Sequence, residues 1–396
     1  MILNARHEPG AGSQCPRRDD GIVVSPGSFI PGPEDEELRA VVRSFLRKRS
    51  AEDDVRRLME TGTGFDPAVW RQAAKELGLQ GLIIPERWGG SGASLVELGV
   101  VFEEMGRALF GAPFFGTVGL AVPALLAVDD AAACAEYLPG IAAGETIATL
   151  AWGGADPQGS TLAARRDGSG WLLSGRAEVV VDAVAADVIL ALAGTDEGPG
   201  LFAVVGDGPA RVPLTGLDST RKLSALGFDD APARAIGTPG QVTGALGAAI
   251  DHSVLLLACE QLGGAARVLE MSVEYAGTRV QFGRKIGSFQ AIKHRCADML
   301  VAVESARSVA YHGIWTAVNE PHELGVAATL AGSLCADTYT RASLDNIQNH
   351  GGIGFTWEHP AHLYLKRAKS TELFLGSPAR HRRRLAALLD IPEVPA

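Results

Sequence analysis

Two changes of hydrophobic period, near Thr146 and near Pro239, divide the chain. Between them, short runs such as TLAARR, GWLLSG, AEVVVDAV, DVILALAG and GLFAVVG are punctuated by Gly, Asp and Pro, the pattern of an antiparallel β domain. On either side, apolar residues recur at helical spacing. Leu38, Val41, Val42 and Phe45 follow the acidic start Glu34 to Glu37, and Val69, Trp70, Ala73 and Leu77 mark a further helix. After Pro239 the spacing predicts long helices over 244–275, 288–318, 322–348 and 362–389. Helices, then strands, then helices require segregated layers and exclude an alternating βαβ sheet. The expected fold is mostly α with a middle β domain: an N-terminal helical domain over 33–147, a β domain over 148–240 and a helical bundle over 241–396. Residues 1–32, rich in Gly, Pro and Ser without a helical period, read as a flexible extension.

Composition removes several classes of function. A net charge of -10, with no basic cluster except Arg380 to Arg384, argues against nucleic acid as a partner; that cluster reads as the solvated face of a last helix. The five cysteines show no metal-ligand spacing, so no metal site is expected, and they read as reduced thiols of a cytoplasmic protein. The longest apolar run, Ala112 to Val128, is broken by Pro123, and neither a secretion signal nor a membrane span is expected. Gly89 to Gly92 reads GGSG, which lacks the spacing of a dinucleotide loop.

The densest chemistry lies in YAGTRVQFGRKIGSFQAIKHRCADM, Tyr275 to Met299. Its pattern reads as two helices joined by a short turn, the first stopping at Phe282-Gly283 because Gly tolerates the left-handed conformation. Arg279, Gln281 and Gln290 would sit together there. A guanidinium offers forked donors that match phosphate oxygens, so the turn suits a phosphate-bearing ligand.

This stretch resembles the acyl-CoA dehydrogenase family of flavoproteins, whose pattern R-x-x-F-G-x-x-I-x-x-F-Q-x-I-x-H-x-x-A-D-M is met by Arg279, Phe282, Gly283, Ile286, Phe289, Gln290, Ile292, His294, Ala297, Asp298 and Met299. A second block, NIQNHGGIGFTWEHP, carries Gln348, Gly351, Gly352 and Gly354 in the family's order, and the loop ahead of Gly89 agrees as well. The resemblance implies an N-terminal α domain, a middle β barrel and a C-terminal four-helix bundle that also makes the oligomer. It implies FAD, with Arg279, Gln281, Phe282, Phe289, Gln290, Gln348, Gly351 and Gly352 serving a flavin held mainly by a neighbouring subunit. It further implies an acyl thioester substrate, desaturated between its α and β carbons, and an electron-transfer flavoprotein or similar acceptor.

The α proton of a thioester is weakly acidic, so this reaction needs a carboxylate base within reach of that carbon. The two positions where the family places it are Leu375 and Ser253 here, and neither is a carboxylate. Glu260, two helical turns beyond Ser253, is the candidate that remains, with Glu372 beside Leu375 as another; Asp251 and His252 precede Ser253. The middle domain departs too. Trp152, Gly159 and Ser160 match only loosely, EVVVDA over 178–183 replaces a flavin-packing W-I-[TS]-[NS], and Val254 replaces a substrate-binding Arg. Four readings follow: a self-sufficient FAD-dependent acyl-CoA or acyl-carrier dehydrogenase using Glu260, a base-lacking partner of a sibling subunit in a heteromeric dehydrogenase, a flavin-dependent oxygenase of the same fold, or a non-catalytic scaffold.

Overall fold

The computed structural model describes residues 32–154, 159–206 and 208–392; the expected extension over 1–32 lies outside the described residues except for Gly32. Helix α1 (Pro33–Arg49) begins with Pro at its first position and Glu34, Asp35 and Glu36 in its first turn, and ends on Arg47, Lys48 and Arg49, charges that oppose its dipole at both ends. After α2 (Glu52–Met59), α3 (Pro67–Leu77) is capped by the Asp66 side chain and closed by left-handed Gly78. In α4 (Leu95–Arg107), Ser94 and Glu97 form a capping box. The apolar run is buried: a π-helical segment, Phe115–Ala121, continues into α5 (Val122–Val128), and α6 (Ala131–Ala142) follows.

Strands β1 (Ala148–Ala151), β2 (Ala163–Asp167), β3 (Gly170–Val181), β4 (Val188–Thr195), β5 (Gly198–Val205), β6 (Ala210–Leu214) and β7 (Leu223–Ile236) form one sheet. Pairings β4-β2-β3-β7-β5, closed by β5 with β4, make it barrel-like, with β1 and β6 attached at its sides. The purely antiparallel expectation needs correction, because β1 runs parallel to β4, Ala148 opposite Val188, and β2 touches β4 in parallel at Ala163 and Gly194. No hairpin joins these pairs, so nothing forces them to run antiparallel.

The C-terminal layer contains α7 (Thr243–Thr278), α8 (Gln290–Asn319), α9 (Leu324–His350), α10 (Ala361–Thr371) and α11 (Pro378–Leu388). Helix α7 is the spine. It is long and apolar enough to cross a membrane, yet 78% of its apolar window is buried inside the fold. Its contact with α4 is very close: a Cβ on Gly106 would come within 1.9 Å of the Glu260 carbonyl oxygen, and one on Gly263 within 1.8 Å of that of Glu103.

Two boundaries differ from expectation. Helix α7 stops at Thr278, and Phe282 (φ 53°) with Gly283 (φ 76°) instead makes the two-residue turn of a hairpin, β8 (Val280–Gln281) and β9 (Arg284–Lys285). The last helical segment is split at 372–377, where Gly376 takes a φ of 119° and Pro378 starts a new helix. The basic cluster on α11 is partly consumed internally, Arg382 pairing with Asp337 of α9 and Arg384 with Asp251 of α7.

Candidate functional site

The two sequence blocks meet at one edge of the helical layer. The Tyr275 ring at the end of α7 stacks on His350 at the end of α9, centroids 4.4 Å apart, and Ser272 donates to Asn346 at 2.8 Å. Beyond that junction the hairpin leaves α7 at Arg279, whose carbonyl accepts from the Ile286 amide at 2.8 Å and folds the strand pair back on itself. After α9 the chain turns through Gly351 (φ 61°) into a 3₁₀ turn, Gly351–Phe355. The turn is tight, since a Cβ on Gly354 would meet the Ile347 carbonyl oxygen at 2.9 Å.

Arg279, Gln281, Gln290, Gln348, Gly351 and Gly352 are all exposed on this edge. Phe289 is half-buried, lying edge-on to Phe282 at 6.1 Å and under the Arg284 guanidinium at 4.0 Å. Phe282 is 90% exposed, Phe355 82% and Trp357 61%. Three aromatic rings held in water beside free amides and a guanidinium make a surface shaped to be covered. The bare backbone at Gly351 and Gly352, with nothing within 4 Å of an added Cβ, leaves room for a ligand to approach the main chain.

The interior is different. Ser253 is buried on α7, its hydroxyl donating to the Ala249 carbonyl at 2.9 Å, and Leu375 is buried in the turn between α10 and α11. Phe374, next to Leu375, stacks on Phe115 at 6.1 Å and 17°. The Arg221 guanidinium lies over both rings, 5.0 Å from Phe115 and 5.6 Å from Phe374. Arg221 also donates to both oxygens of Glu260 at 2.9 and 2.7 Å, and Arg367 of α10 donates to Glu260 at 3.0 Å and to Asp218 at 2.7 Å. Thr220 completes the cluster by accepting from Arg367 and donating to Asp218. Rings and ion pairs thus occupy the space between α7, the π-helical segment and Phe374.

Glu260 therefore does not have the environment of a base. Burial pushes its pKa up, but Arg221 and Arg367 outweigh burial and hold it below the ordinary carboxylate value. A carboxylate fixed by two guanidinia is a weak proton acceptor, and its chemistry is that of an anchor. Glu372 is bound to Thr340 at 3.1 Å and to Lys369. Asp251 is spent on Arg384, and His252 has its pKa lowered first by burial, against the opposing pull of Asp251.

Three acids, Asp182, Asp218 and Glu260, share this interior with two cations, Arg221 and Arg367. Asp182 holds the excess. It accepts from the Gly116 amide at 3.0 Å, and burial raises its pKa to about 6 against the opposing pull of Arg221, with Glu260 adding to the rise. The folded state thus retains a proton that the unfolded chain releases near 3.8. The neutral form's stability is complete below the lower value and is lost as pH rises through about 6, a cost of about 3 kcal/mol at neutral pH. Asp182→Asn, which keeps an acceptor for Gly116 without the charge, is expected to raise stability by about 2–3 kcal/mol at neutral pH and by nothing near pH 4. Paired urea melts at the two pH values check this; an equal effect at both would assign the gain to packing.

The middle domain offers little to a ring system here. Glu178 is exposed and paired with Arg176, Val179 is exposed beside it, and the Ser160 hydroxyl donates to the Leu192 carbonyl at 2.6 Å. Val254 is buried against Gly332. Sequence reasoning missed Arg221, Arg367, Asp218, Asp182, Phe115 and Phe374, which come from separate elements; Glu260 and Arg367 alone are 107 residues apart. The one available signal was an Arg within the apolar spacing of α10, flanked by Tyr364 and Ala368.

Comparison with known proteins gives a consistent picture. Residues 32–145 match the acyl-CoA dehydrogenase N-terminal domain, and residues 244–389 match the acyl-CoA dehydrogenase C-terminal domain. The chain is 35% identical to acyl-CoA dehydrogenase IpdE2 of Mycolicibacterium smegmatis, over 89% of this chain and 98% of that protein. Among solved structures it superposes on a chain of the ChsE4-ChsE5 complex from Mycobacterium tuberculosis with a TM-score of 0.84 at 28% identity, covering 93% of this chain and 100% of that one. The Tcur3481-Tcur3483 steroid ACAD, in a single-residue variant, gives 0.81 at 30% identity, covering 90% and 98%.

Proposed function

The chain belongs to the acyl-CoA dehydrogenase family, oxidoreductases acting on CH–CH bonds, and we propose that within it this chain is the base-lacking partner of a sibling subunit in a heteromeric enzyme. One observation carries the reading. Where a base and an acyl chain would meet, Leu375 and Ser253 are buried and the space is taken up by Phe115, Phe374, Arg221 and Glu260. Two solved relatives that are each named as a pair, ChsE4-ChsE5 and Tcur3481-Tcur3483, support it.

FAD fits one side of this chain and not the other. On the exposed edge, the Arg279 guanidinium has no ion-pair partner among the described residues, and Gln281 and Gln348 offer amide donors beside the open backbone of Gly351 and Gly352. Donors of this kind suit pyrophosphate oxygens. On the other side, Glu178 and Val179 stand where a ring-packing segment is expected. When bound, FAD would take up the hydride leaving the β carbon. The contribution of this chain is to clamp the phosphate end of a flavin seated on the sibling and to cover it from water with Phe282 and Phe355. The sibling supplies the carboxylate that takes the α proton of the acyl thioester, and an electron-transfer flavoprotein or similar acceptor reoxidises the complex. Among the described residues four thiols are free, three of them buried, which suits a cytoplasmic setting.

Purified alone, the chain is expected to be colourless and to reduce no acceptor with any acyl-CoA. Copurified with a sibling that carries the Glu, it should give a yellow complex bleached anaerobically by its substrate. A flavin retained by the isolated chain and bleached by an acyl-CoA would overturn the proposal. Within the complex, Arg279→Ala should weaken FAD binding by about 1.5–3 kcal/mol, roughly 10- to 150-fold, read by flavin fluorescence on dilution.

A further inference from the structure

Arg39, Arg43 and Arg47 stand four residues apart on one face of α1 and look toward α4. The first two find acids there. Arg39 donates to Glu103 at 2.7 Å and Glu104 at 3.1 Å, and Arg43 forks onto Glu104 at 2.7 and 2.6 Å. One turn further, where Arg47 would need a carboxylate, α4 presents Arg107 instead. Arg107 in turn forks onto Glu270 of α7, and Arg267 shares that same carboxylate at 3.2 Å. One acid therefore serves two guanidinia, and Arg47 has no ion-pair partner among the described residues.

These groups surround a cavity of about 490 Å³ between α1, α2, α4, α7 and α10. Four guanidinia, Arg43, Arg47, Arg107 and Arg267, line it against two carboxylates, Glu52 and Glu104, both already bonded to arginines. Its floor is apolar, built from Leu46, Met271 and Leu363. The Tyr364 hydroxyl donates to the Arg107 carbonyl at 2.7 Å and accepts from Arg267, so it has no donor to offer a ligand and fixes the Arg267 guanidinium at the cavity. A volume of this size, mostly apolar below with a few convergent cations at the mouth, is the form of a small-molecule site.

We propose that this cavity binds an amphipathic anion, a carboxylate carrying an apolar body. The carboxylate would meet Arg47 and Arg267, and the body would lie on Leu46, Met271 and Leu363. Such a ligand would tie α1 and α4 to α7 and α10. The proposal is argued from residues of this chain and does not depend on the heteromeric reading.

The probe is decanoate, titrated by calorimetry into the full chain in whatever assembly it purifies, with decanol and inorganic phosphate as controls. Saturable binding of decanoate is expected, at least about tenfold tighter than either control, since a charge-assisted contact and the apolar floor act together. Arg47→Glu should weaken it about tenfold or more, and Arg267→Gln should act in the same direction, each with native circular dichroism and only a small drop in melting midpoint from the lost helix-end charge or Glu270 pair. Arg47 is exposed, so its replacement leaves the fold intact. Absence of saturation, equal binding of decanol or phosphate, or undiminished binding in both variants would overturn the proposal.

Discussion

Glu260→Ala is expected to destabilise the protein by about 3–5 kcal/mol, the cost of leaving buried guanidinia without their shared anion. Glu260 is 3% exposed and Arg367 1%, so water cannot replace the lost carboxylate. Arg221 would lose both of its oxygen contacts and keep the faces of Phe115 and Phe374 and its attraction to Asp182, while Arg367 would retain Asp218 and Thr220. Urea denaturation of the purified variant measures the loss. A companion variant, Glu260→Met with Arg221→Met, should recover much of it, because Arg367 keeps Asp218 and Thr220, Asp182 without Arg221 holds its proton to higher pH, and the methionines fill the volume. If Glu260 were instead a catalytic base, Glu260→Gln would abolish turnover in the complex with little effect on the urea midpoint. That outcome would restore the sequence-based assignment.

The second large effect is expected at the exposed edge. Phe282→Asp should weaken subunit association by about 2–4 kcal/mol, roughly 30- to 1000-fold, as a central aromatic anchor does when it is lost. The substitution is mild for the chain itself. Phe282 already occupies the left-handed region at φ 53°, which Asp accepts more readily than Phe, and its ring is 90% exposed. The melting midpoint of the separated chain should therefore stay where it is while the complex dissociates on dilution in sedimentation velocity. An unchanged dissociation constant would remove the hairpin from the interface and leave Phe355 and Trp357 as the remaining anchors.

The layer order was legible in the chain because it depends on local periods. Leu38, Val42 and Phe45 repeat at helical spacing wherever they are packed, and Val188 to Ala193 form a strand run between turn residues whatever they face. The family was legible for a related reason: Arg279 to Met299 is contiguous, so its pattern survives without knowledge of contacts. Even there the backbone corrected the reading. Phe282-Gly283 suits a helix end and a hairpin turn equally well, and the choice was made by Arg279 leaving the helix in extended conformation to meet Ile286.

What the chain alone could not reveal was the state of Glu260. Counted along α7, it lies on the face of a possible base, and nothing local distinguishes a free carboxylate from a locked one. Arg221 comes from the loop before β7 and Arg367 from α10, and only the packing of the barrel, α7 and α10 brings both guanidinia onto it. The charge surplus around Arg47 arises in the same way, since it depends on which turn of α4 faces which turn of α1. Periodicity and contiguous motifs are properties of neighbours in sequence, and so the chain determined its elements and its family by itself. Protonation, occupancy of space and pairing of charge depend on distances between remote segments, and these were decided by tertiary structure alone.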